Sequence, residues 1–577
     1  MLDNVVRGGQ IFLHQVLMFK QVMAKAFSTA LFLGVVLTYI VFAPAFKALD
    51  SYSAINYMKA QAARAMHNTI PFLANHGVKK EPKIDLVDAR RGVYAKGVSA
   101  SAVIASSKHQ NAMWELFGLC FRCLLFLIGS TFGLMASIFA IWTSFGKSAS
   151  KSSVVSGGKV HSADEVNDYL RSKKKAGSFK IGGMHLLQGS ETSHILITGT
   201  TGAGKTTCMH ELLPQIKEKG QAAIIVDYTG AMCERYYDER RGDVIIGEDE
   251  RSHSWDFWGE IEDEHNMAII TNSLFADKNS YDEMWNNASR QFFKDAAIAV
   301  SLGSSPSMKK FYSILATDPL KQVRSALEGF PAASLMDPGN ERTAMSIRTN
   351  TIAFIDWIEK FKETEKKITI SSWIRNLSDV SNEKHKTTSP KQLPWLFLKS
   401  SPKQRIKNRN FHSTLLDLAM NHVMELGESR DRRIWLIIDE LPSLKKLPSI
   451  PTALSEFRKY GGCIVASIQS PHQLFEIYGK NNAYAMMDQM GTKFIFRTEE
   501  HNFASYLCNN FGEVEYISQQ KNISYGAHEM RDGTSYTEQE RKKLLVTPAD
   551  LAALANLEAY VKLPISDMKV AKIKVKF

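Results

Sequence analysis

Gly199-Thr200-Thr201-Gly202-Ala203-Gly204-Lys205-Thr206 is the stretch on which the fold turns. It fits the phosphate-loop pattern G-x-x-x-x-G-K-[ST]. The apolar run Ile195-Leu196-Ile197 before it reads as a short buried strand, and Thr206 to Lys219 after it is compatible with a helix. Phosphate binding requires this order of strand, glycine loop and helix. The glycines let main-chain N–H groups turn toward phosphate oxygens, and the helix N-terminus adds positive potential. In this reading Lys205 reaches the β- and γ-phosphates of ATP, and the Thr206 hydroxyl ligates Mg2+. The plainer alternative, a flexible Gly/Thr turn, does not explain the adjacent lysine.

Further along, Arg433-Ile434-Trp435-Leu436-Ile437-Ile438-Asp439-Glu440 is an apolar strand ending in two carboxylates. In phosphate-loop ATPases an Asp at such a strand end holds magnesium, often through water. A following Glu is placed to polarise the attacking water. The alternative is a strand end with two solvated acids. Gln469 ends the next apolar run, where a neutral amide senses the γ-phosphate or orients water, or simply caps a strand. Ring ATPases complete the charge with an arginine from the neighbouring subunit. Arg348, Arg458 and Arg497 are the candidates, with Arg348 and Arg497 preferred; each is also readable as a structural ion pair.

The 577 residues suffice for two to four domains, and 44% hydrophobic with 23% charged residues excludes bulk disorder. A net charge of +12 suits a phosphate-rich partner, nucleic acid or anionic lipid, although membrane topology alone also favours lysine. Six cysteines in so long a chain do not make a disulfide framework, and the Cys120-x-x-Cys123 pair, lacking a second pair, is not expected to bind zinc. Ala26–Phe46 and Cys123–Gly146 are uncharged and long enough to cross a bilayer as helices. Arg7, Lys20 and Lys25 flank the first; Lys147, Lys151, Lys159 and Lys173-Lys174-Lys175 follow the second. Both outer flanks are therefore expected in the cytoplasm. The stretch between, which carries Lys79-Lys80 and Arg90-Arg91 away from the span ends, is then periplasmic. Ala43-Pro44-Ala45 resembles a cleavage site, but the long apolar run and basic tail before it read as an uncleaved anchor.

The expected organisation is a cytoplasmic tail at 1–25, spans at 26–46 and 123–146, a small periplasmic segment at 47–115, and a linker at 147–180 that includes the Ser/Gly/Lys-rich Ser148–Gly158. A nucleotide-binding domain is expected over 181–577, with an all-α insertion at 275–385. Short apolar runs at Ile195–Thr198, Ala222–Val226, Trp395–Leu398, Ile434–Ile438, Cys463–Ile468 and Phe494–Phe496 read as buried strands, with Ala559–Leu563 a weaker seventh. Alternation with helix-like segments argues an α/β fold with a parallel sheet covered on both faces. Asn286–Ser301 and Thr343–Phe361 are helix-like and make the insertion. The basic stretch Lys384 to Arg409 reads as a solvated loop or, less favoured, a DNA track.

Taken in order, these motifs resemble the TraD/TrwB family of conjugative coupling proteins. Gly8-Gly9-Gln10 looks like an early Gly-Gly-Gln of that family. Ser254-Trp255-Asp256-Phe257-Trp258, Thr343-Ala344-Met345-Ser346-Ile347-Arg348, Asp439-Glu440-Leu441-Pro442, Arg458-Lys459-Tyr460-Gly461-Gly462, Ser467-Ile468-Gln469-Ser470, Tyr525-Gly526-Ala527 and Arg531-Asp532-Gly533 are similar to its segments. The resemblance implies a RecA-like P-loop NTPase core with an inserted all-α domain, preceded by two N-terminal transmembrane helices. It further implies a multi-pass protein of the bacterial inner membrane, assembled as a homo-hexamer, that uses ATP and Mg2+. Its partners would be single-stranded DNA, the relaxase or relaxosome, and type IV secretion channel proteins. Carried over, phosphate binding falls on Gly199 to Thr207, magnesium binding and water activation on Asp439 and Glu440, and γ-phosphate sensing on Gln469. Two features depart. Where the family tends to carry Ser-Gly-Glu, this chain has Thr229-Gly230-Ala231, which puts any role of that acid in doubt. The family's long acidic docking tail has no counterpart before Phe577, so relaxosome docking is not expected by that route. An FtsK-like double-stranded DNA translocase and an ATP-switched receptor for secreted proteins are the rival readings.

Overall fold

A computed structural model of the chain describes residues 2–69, 81–88, 92–149, 153–276, 283–359, 364–383, 392–524, 533–567 and 570–576. Lys79-Lys80, Arg90-Arg91, Lys151, 384–391, Tyr525-Gly526-Ala527 and Arg531-Asp532 lie outside these residues. The chain divides into two compact units, 1–152 and 153–577.

The first unit is built on two long helices, α1 (Leu2–Ala48) and, after α2 (Ser51–Thr69), β1 (Lys83–Asp88), β2 (Gly92–Ser99) and α3 (Ala100–Ala105), α4 (Ser107–Ala149). Val16–Ala48 and Ser107–Phe145 are long and apolar enough to cross a membrane. Both helices run past their uncharged stretches. At 47 residues α1 is about 70 Å long, against about 30 Å of hydrocarbon. Small residues set their contact: Ala26 and Ala30 are buried, and a Cβ on Gly34 would stand 2.7 Å from Thr131 Oγ1. Phe42 meets Phe126 edge-on at 5.5 Å. Between the long helices, the antiparallel β1–β2 hairpin is tied to α2 by Asn56. Its amide donates to Val87 O at 2.9 Å and accepts from Val87 N–H at 3.1 Å.

The second unit holds a ten-stranded sheet. Its strands are β4 (Val160–Ser162), β7 (Ile195–Thr198), β8 (Ala222–Asp227), β9 (Val244–Gly247), β12 (Trp395–Lys399), β13 (Ile434–Ile438), β14 (Gly462–Ile468), β15 (Thr492–Ile495), β18 (Glu558–Lys562) and β19 (Val570–Lys574). Smaller pairings use β3 (Ser153–Gly157) with β16 (Glu513–Ser524) and β17 (Gly533–Leu544), β5 (Ala176–Ile181) with β6 (Met184–Leu187), and β10 (Ser254–Trp255) with β11 (Lys367–Ile368). The order across the large sheet is β4-β19-β18-β15-β7-β14-β13-β8-β12-β9. From β15 to β9 all neighbours are parallel; β18 and β19 run antiparallel at one side. All seven apolar runs read as strands lie in this sheet.

Alternation along each strand feeds two cores. Leu196, Ile224, Leu436 and Ile464 enter one, while Ile195, Ile225, Trp435 and Val465 enter the other. Burial on both faces is why these strands read as unbroken apolar runs. One face carries the helix Lys205–Glu218; the other carries the helices between β9 and β12. Those helices include Glu283–Ser301, Glu341–Ile352 and Ile370–Glu383, and a π-helical turn spans Ser313–Thr317. The helix expected over Thr343–Phe361 breaks after Ile352 and resumes as a single turn at Asp356–Glu359.

The stretch 147–180 differs from the expected linker. Residues 147–149 end α4, β3 pairs with β16, β4 pairs with β19, and α5 (Ala163–Ser172) starts on a Ser162/Glu165 capping box. Short edge strands whose partners lie hundreds of residues away leave no local periodicity, so composition alone read them as polar linker.

Candidate nucleotide site

Parallel alignment brings the carboxyl ends of β7, β13, β14 and β15 to one edge, the usual ligand edge of such sheets. The loop 199–204 leaves β7 there and enters α6 (Lys205–Glu218). Gly199 and Gly204 take φ of +152° and +122°, a region that favours glycine. Space forbids a side chain as well. A Cβ on Gly199 would lie 2.7 Å from Phe496 Cβ; one on Gly204 would lie 3.0 Å from Phe496 and 3.1 Å from Leu557. The loop is pinned by main-chain bonds, Thr200 N–H to Arg497 O and Leu557 N–H to Ala203 O, both 2.8 Å.

Lys205 is buried and folds back over the loop, its ammonium donating to Gly199 O at 2.9 Å and Thr200 O at 3.1 Å. Burial lowers its pKa, opposed by the charges of Glu440 and Asp439. Thr206 Oγ1 donates to Asp439 Oδ1 at 3.2 Å, and Thr201 Oγ1 donates to Gln469 Oε1 at 3.0 Å. Gly202, Ala203 and Thr207 complete the loop and the first helical turn. Phosphate loop, strand-end acids and Gln469 thus meet in one place. Ser467 Oγ donates to the Asp439 carbonyl and ties β14 to that end of β13.

Burial dominates the two acids. It raises the Asp439 pKa, with Thr206 and Lys205 acting in the opposite sense, and it pushes Glu440 up to about 7 against Lys205. Neither Glu440 carboxyl oxygen has a hydrogen-bond partner of normal geometry, nor do Thr200 Oγ1 and Tyr228 Oη, although all are buried. Buried polar atoms are normally paired, so this cluster fits a polar ligand. The first turn of α6 also has no side-chain cap on its N–H groups, which suits a polyanion. The Thr206 hydroxyl and the Asp439 carboxylate are the oxygens that fit a hard cation.

The arginines separate. Arg497 follows β15; its carbonyl holds Thr200, while its guanidinium lies 3.7 Å from Glu499 and its Nε is buried without a hydrogen bond. Arg458 is exposed on the helix Ile450–Tyr460. Arg348 does not reach the loop. It is buried in the helical region and donates to Ile314 O at 3.1 Å and Asp318 O at 2.6 Å, satisfying carbonyls of the π-helical turn. In the single chain its guanidinium is thus engaged within the helical region. At Thr229-Gly230-Ala231 no acid is present. Asp227 accepts from the Thr229, Gly230 and Cys233 N–H groups and caps the turn instead.

Four further residues shape the site and carried no sequence signal of it. Phe496 and Leu557 brace the loop. Tyr228 follows β8, and the ring lies 5.1 Å from the guanidinium of Arg405 on α7 (Arg405–Glu425), inside the stretch read as a solvated loop. A cleft of about 750 Å³ lies near the end of β9, lined by Trp255, Trp357 and Phe411 together with the acids Glu248, Asp249 and Glu250. Its acidic lining suits no triphosphate.

Comparison with known proteins follows the same lines. Residues 178–576 match the family described as the type IV secretion-system coupling protein DNA-binding domain. Coupling protein TraD of Escherichia coli (strain K12) is 31% identical over 425 residues, 73% of this chain; the match spans 58% of TraD's own length. Among solved structures, the unbound bacterial conjugative coupling protein TrwBdeltaN70 superposes with a TM-score of 0.61 at 24% identity, covering 74% of this chain and 93% of that one. Plasmid coupling protein TrwB in complex with ADP and Mg2+ gives the same TM-score and identity, covering 74% and 94%.

Proposed function

The chain belongs to the type IV secretion-system coupling proteins, and from that premise we propose that it is an ATPase of the bacterial inner membrane. It recruits a relaxase–DNA complex and drives single-stranded DNA, with its attached protein, into a type IV secretion channel. The observation that carries the reading is the meeting of loop 199–204, Asp439-Glu440 and Gln469 at one sheet edge, with both Glu440 carboxyl oxygens buried and lacking a hydrogen bond of normal geometry. The TrwB structure with ADP and Mg2+ supports the choice of ligands. The two long apolar helices support the membrane location; use of ATP would require the second unit to face the cytoplasm.

The residues divide the work. The main-chain N–H groups of 199–207 bind the phosphates, and the Lys205 ammonium exchanges two loop carbonyls for phosphate oxygens. Thr206 and Asp439 would hold magnesium, which would neutralise charge on the transferred phosphoryl group. Glu440 takes up a water in its unpaired carboxylate and draws its proton, and Gln469 reads the terminal phosphate from the neighbouring strand end. A ring of six copies would place an arginine of each neighbour, Arg458 or Arg497, against this site. Strand movement then follows from successive site closures, with contacts mainly to DNA phosphates and hence sensitive to salt.

Turnover of the detergent-solubilised full chain tests this against no DNA, single-stranded DNA and double-stranded DNA, with mass determined alongside. Single strands are expected to raise the rate and a hexamer to form. Stimulation by duplex alone would favour the FtsK-like reading, and turnover indifferent to DNA the protein receptor. Calorimetry that finds no uptake of Mg–ATP would overturn the nucleotide site itself.

A further inference from the structure

The first turns of α7 deliver two guanidiniums to the acid end of the site. Arg409, one turn after Arg405, donates to Pro442 O at 3.0 Å and Leu444 O at 2.5 Å, clamping the turn that follows Glu440. Its half-buried position and fixed bonds make it structural. Arg405 is different. Among the described residues it makes no ion pair and no hydrogen bond; its contact is the face of Tyr228, 5.1 Å away. That ring sits at the end of β8, beside β13, and its buried hydroxyl has no hydrogen-bond partner of normal geometry. Because Val226 of β8 pairs with Ile438 of β13, Tyr228 follows the same strand ends that Asp439 and Glu440 follow, and Arg409, one turn on, holds the turn after Glu440; Arg405 is thereby carried to the acid end. An exposed guanidinium rests on an aromatic face near two acids, committed to neither. That is the arrangement of a group that completes its bonding when an anion arrives.

Charge balance points the same way. A triphosphate with one divalent cation enters a site that already contains two carboxylates, and Lys205 is the one cation built into the loop. Resting on the proposed nucleotide site, we infer that Arg405 is a second, same-chain cation for that site, engaging the terminal phosphate beside Glu440 rather than tracking DNA. The guanidinium fork suits a phosphoryl group with charge spread over several oxygens. An ADP-bound site lacks that group, so the arginine also distinguishes the two nucleotides.

Arg405→Ala and Arg405→Lys in the full chain test this, with two readouts. The first is equilibrium affinity for a non-hydrolysable ATP analogue and for ADP. Arg405→Ala is expected to weaken the analogue about 10-fold while leaving ADP nearly unchanged, with Arg405→Lys in between. The kcat should fall about 10- to 100-fold, more than KM rises. The second is affinity for a single-stranded oligonucleotide across a salt series, which should keep its slope. Equal loss for both nucleotides, or none, overturns the inference. So does a DNA salt slope reduced by about 0.7 with nucleotide affinity intact, which places Arg405 on the DNA. Wild-type protein that binds neither nucleotide defeats the nucleotide site instead, so the two failures are distinguishable.

Discussion

The two ends of the candidate site are built on opposite principles. At the loop end the lysine and two main-chain groups are occupied from within, Lys205 on two carbonyls, Thr200 N–H on Arg497 and Ala203 O on Leu557, while the Thr200 hydroxyl stays open. At the acid end, groups of equal polarity are buried and left open, namely both oxygens of Glu440 and the Tyr228 hydroxyl. A self-satisfied cradle is stable when empty and must exchange bonds to bind. An unsatisfied acid is costly when empty and gains most when a water arrives. The difference separates binding from chemistry along one sheet edge.

The largest expected effect breaks the loop end. Lys205→Ala should reduce ATP turnover by about 10³-fold or more, because transition-state charge loses its ammonium. Circular dichroism and DNA affinity should stay close to wild type. Turnover within a few-fold of wild type would remove the loop from the chemistry.

Glu440→Gln addresses the acid end. Hydrolysis should fall about 10²-fold with ATP affinity retained, since the amide cannot draw the proton. The same change should raise the melting temperature, because it relieves a buried carboxylate with no partner. A lower melting temperature would mean that the carboxylate is satisfied and that the contrast between the two ends is wrong.

Gly204→Ala sharpens the loop side. A methyl placed 3.0 Å from Phe496 and 3.1 Å from Leu557, at a φ that disfavours it, should weaken nucleotide binding about 10-fold by calorimetry.

Much of this was legible. The loop, the acid pair and Gln469 each lie at the end of a fully buried strand, and such strands announce themselves as apolar runs bounded by polar residues. What braces them was not. Leu557 and Phe496 look like ordinary apolar residues until the strands are placed side by side. Arg405 sits in a basic, polar stretch, and nothing local says that the following helix lies along the turn after Glu440. The surroundings of Arg348 were hidden for a related reason. The residue lies in a segment that matched the family pattern, but its helix turns it inward onto the carbonyls of Ile314 and Asp318. The strands β3 and β4 are decided by partners far along the chain.

The smallest effect concerns a buried acid that, unlike Glu440, is satisfied. Asp417 on α7 accepts from Ser449 N–H at 2.9 Å and from its hydroxyl at 3.1 Å, and burial raises its pKa to about 7. The folded state therefore holds a proton that the unfolded chain releases near its ordinary value of 3.8. This group's contribution to stability falls as pH rises between those values and is flat above about 7. Asp417→Asn should remove that slope. The difference in melting temperature between variant and wild type should widen by about 2 °C from pH 5 to pH 8. A difference independent of pH would mean that Asp417 is ionised throughout.

Leu557 holds a consequence for how the protein is made. The residue that closes the floor beneath Ala203 and Gly204 is translated hundreds of positions after them, and it is itself anchored by Val575 N–H, 2.9 Å from its carbonyl. A nascent chain would therefore expose a slack, uncommitted glycine loop until the closing strand pair leaves the ribosome. Capacity to take up nucleotide should switch on only once Val575 has emerged, and substitutions that fray the β18–β19 pair should blunt it without touching any residue of the loop.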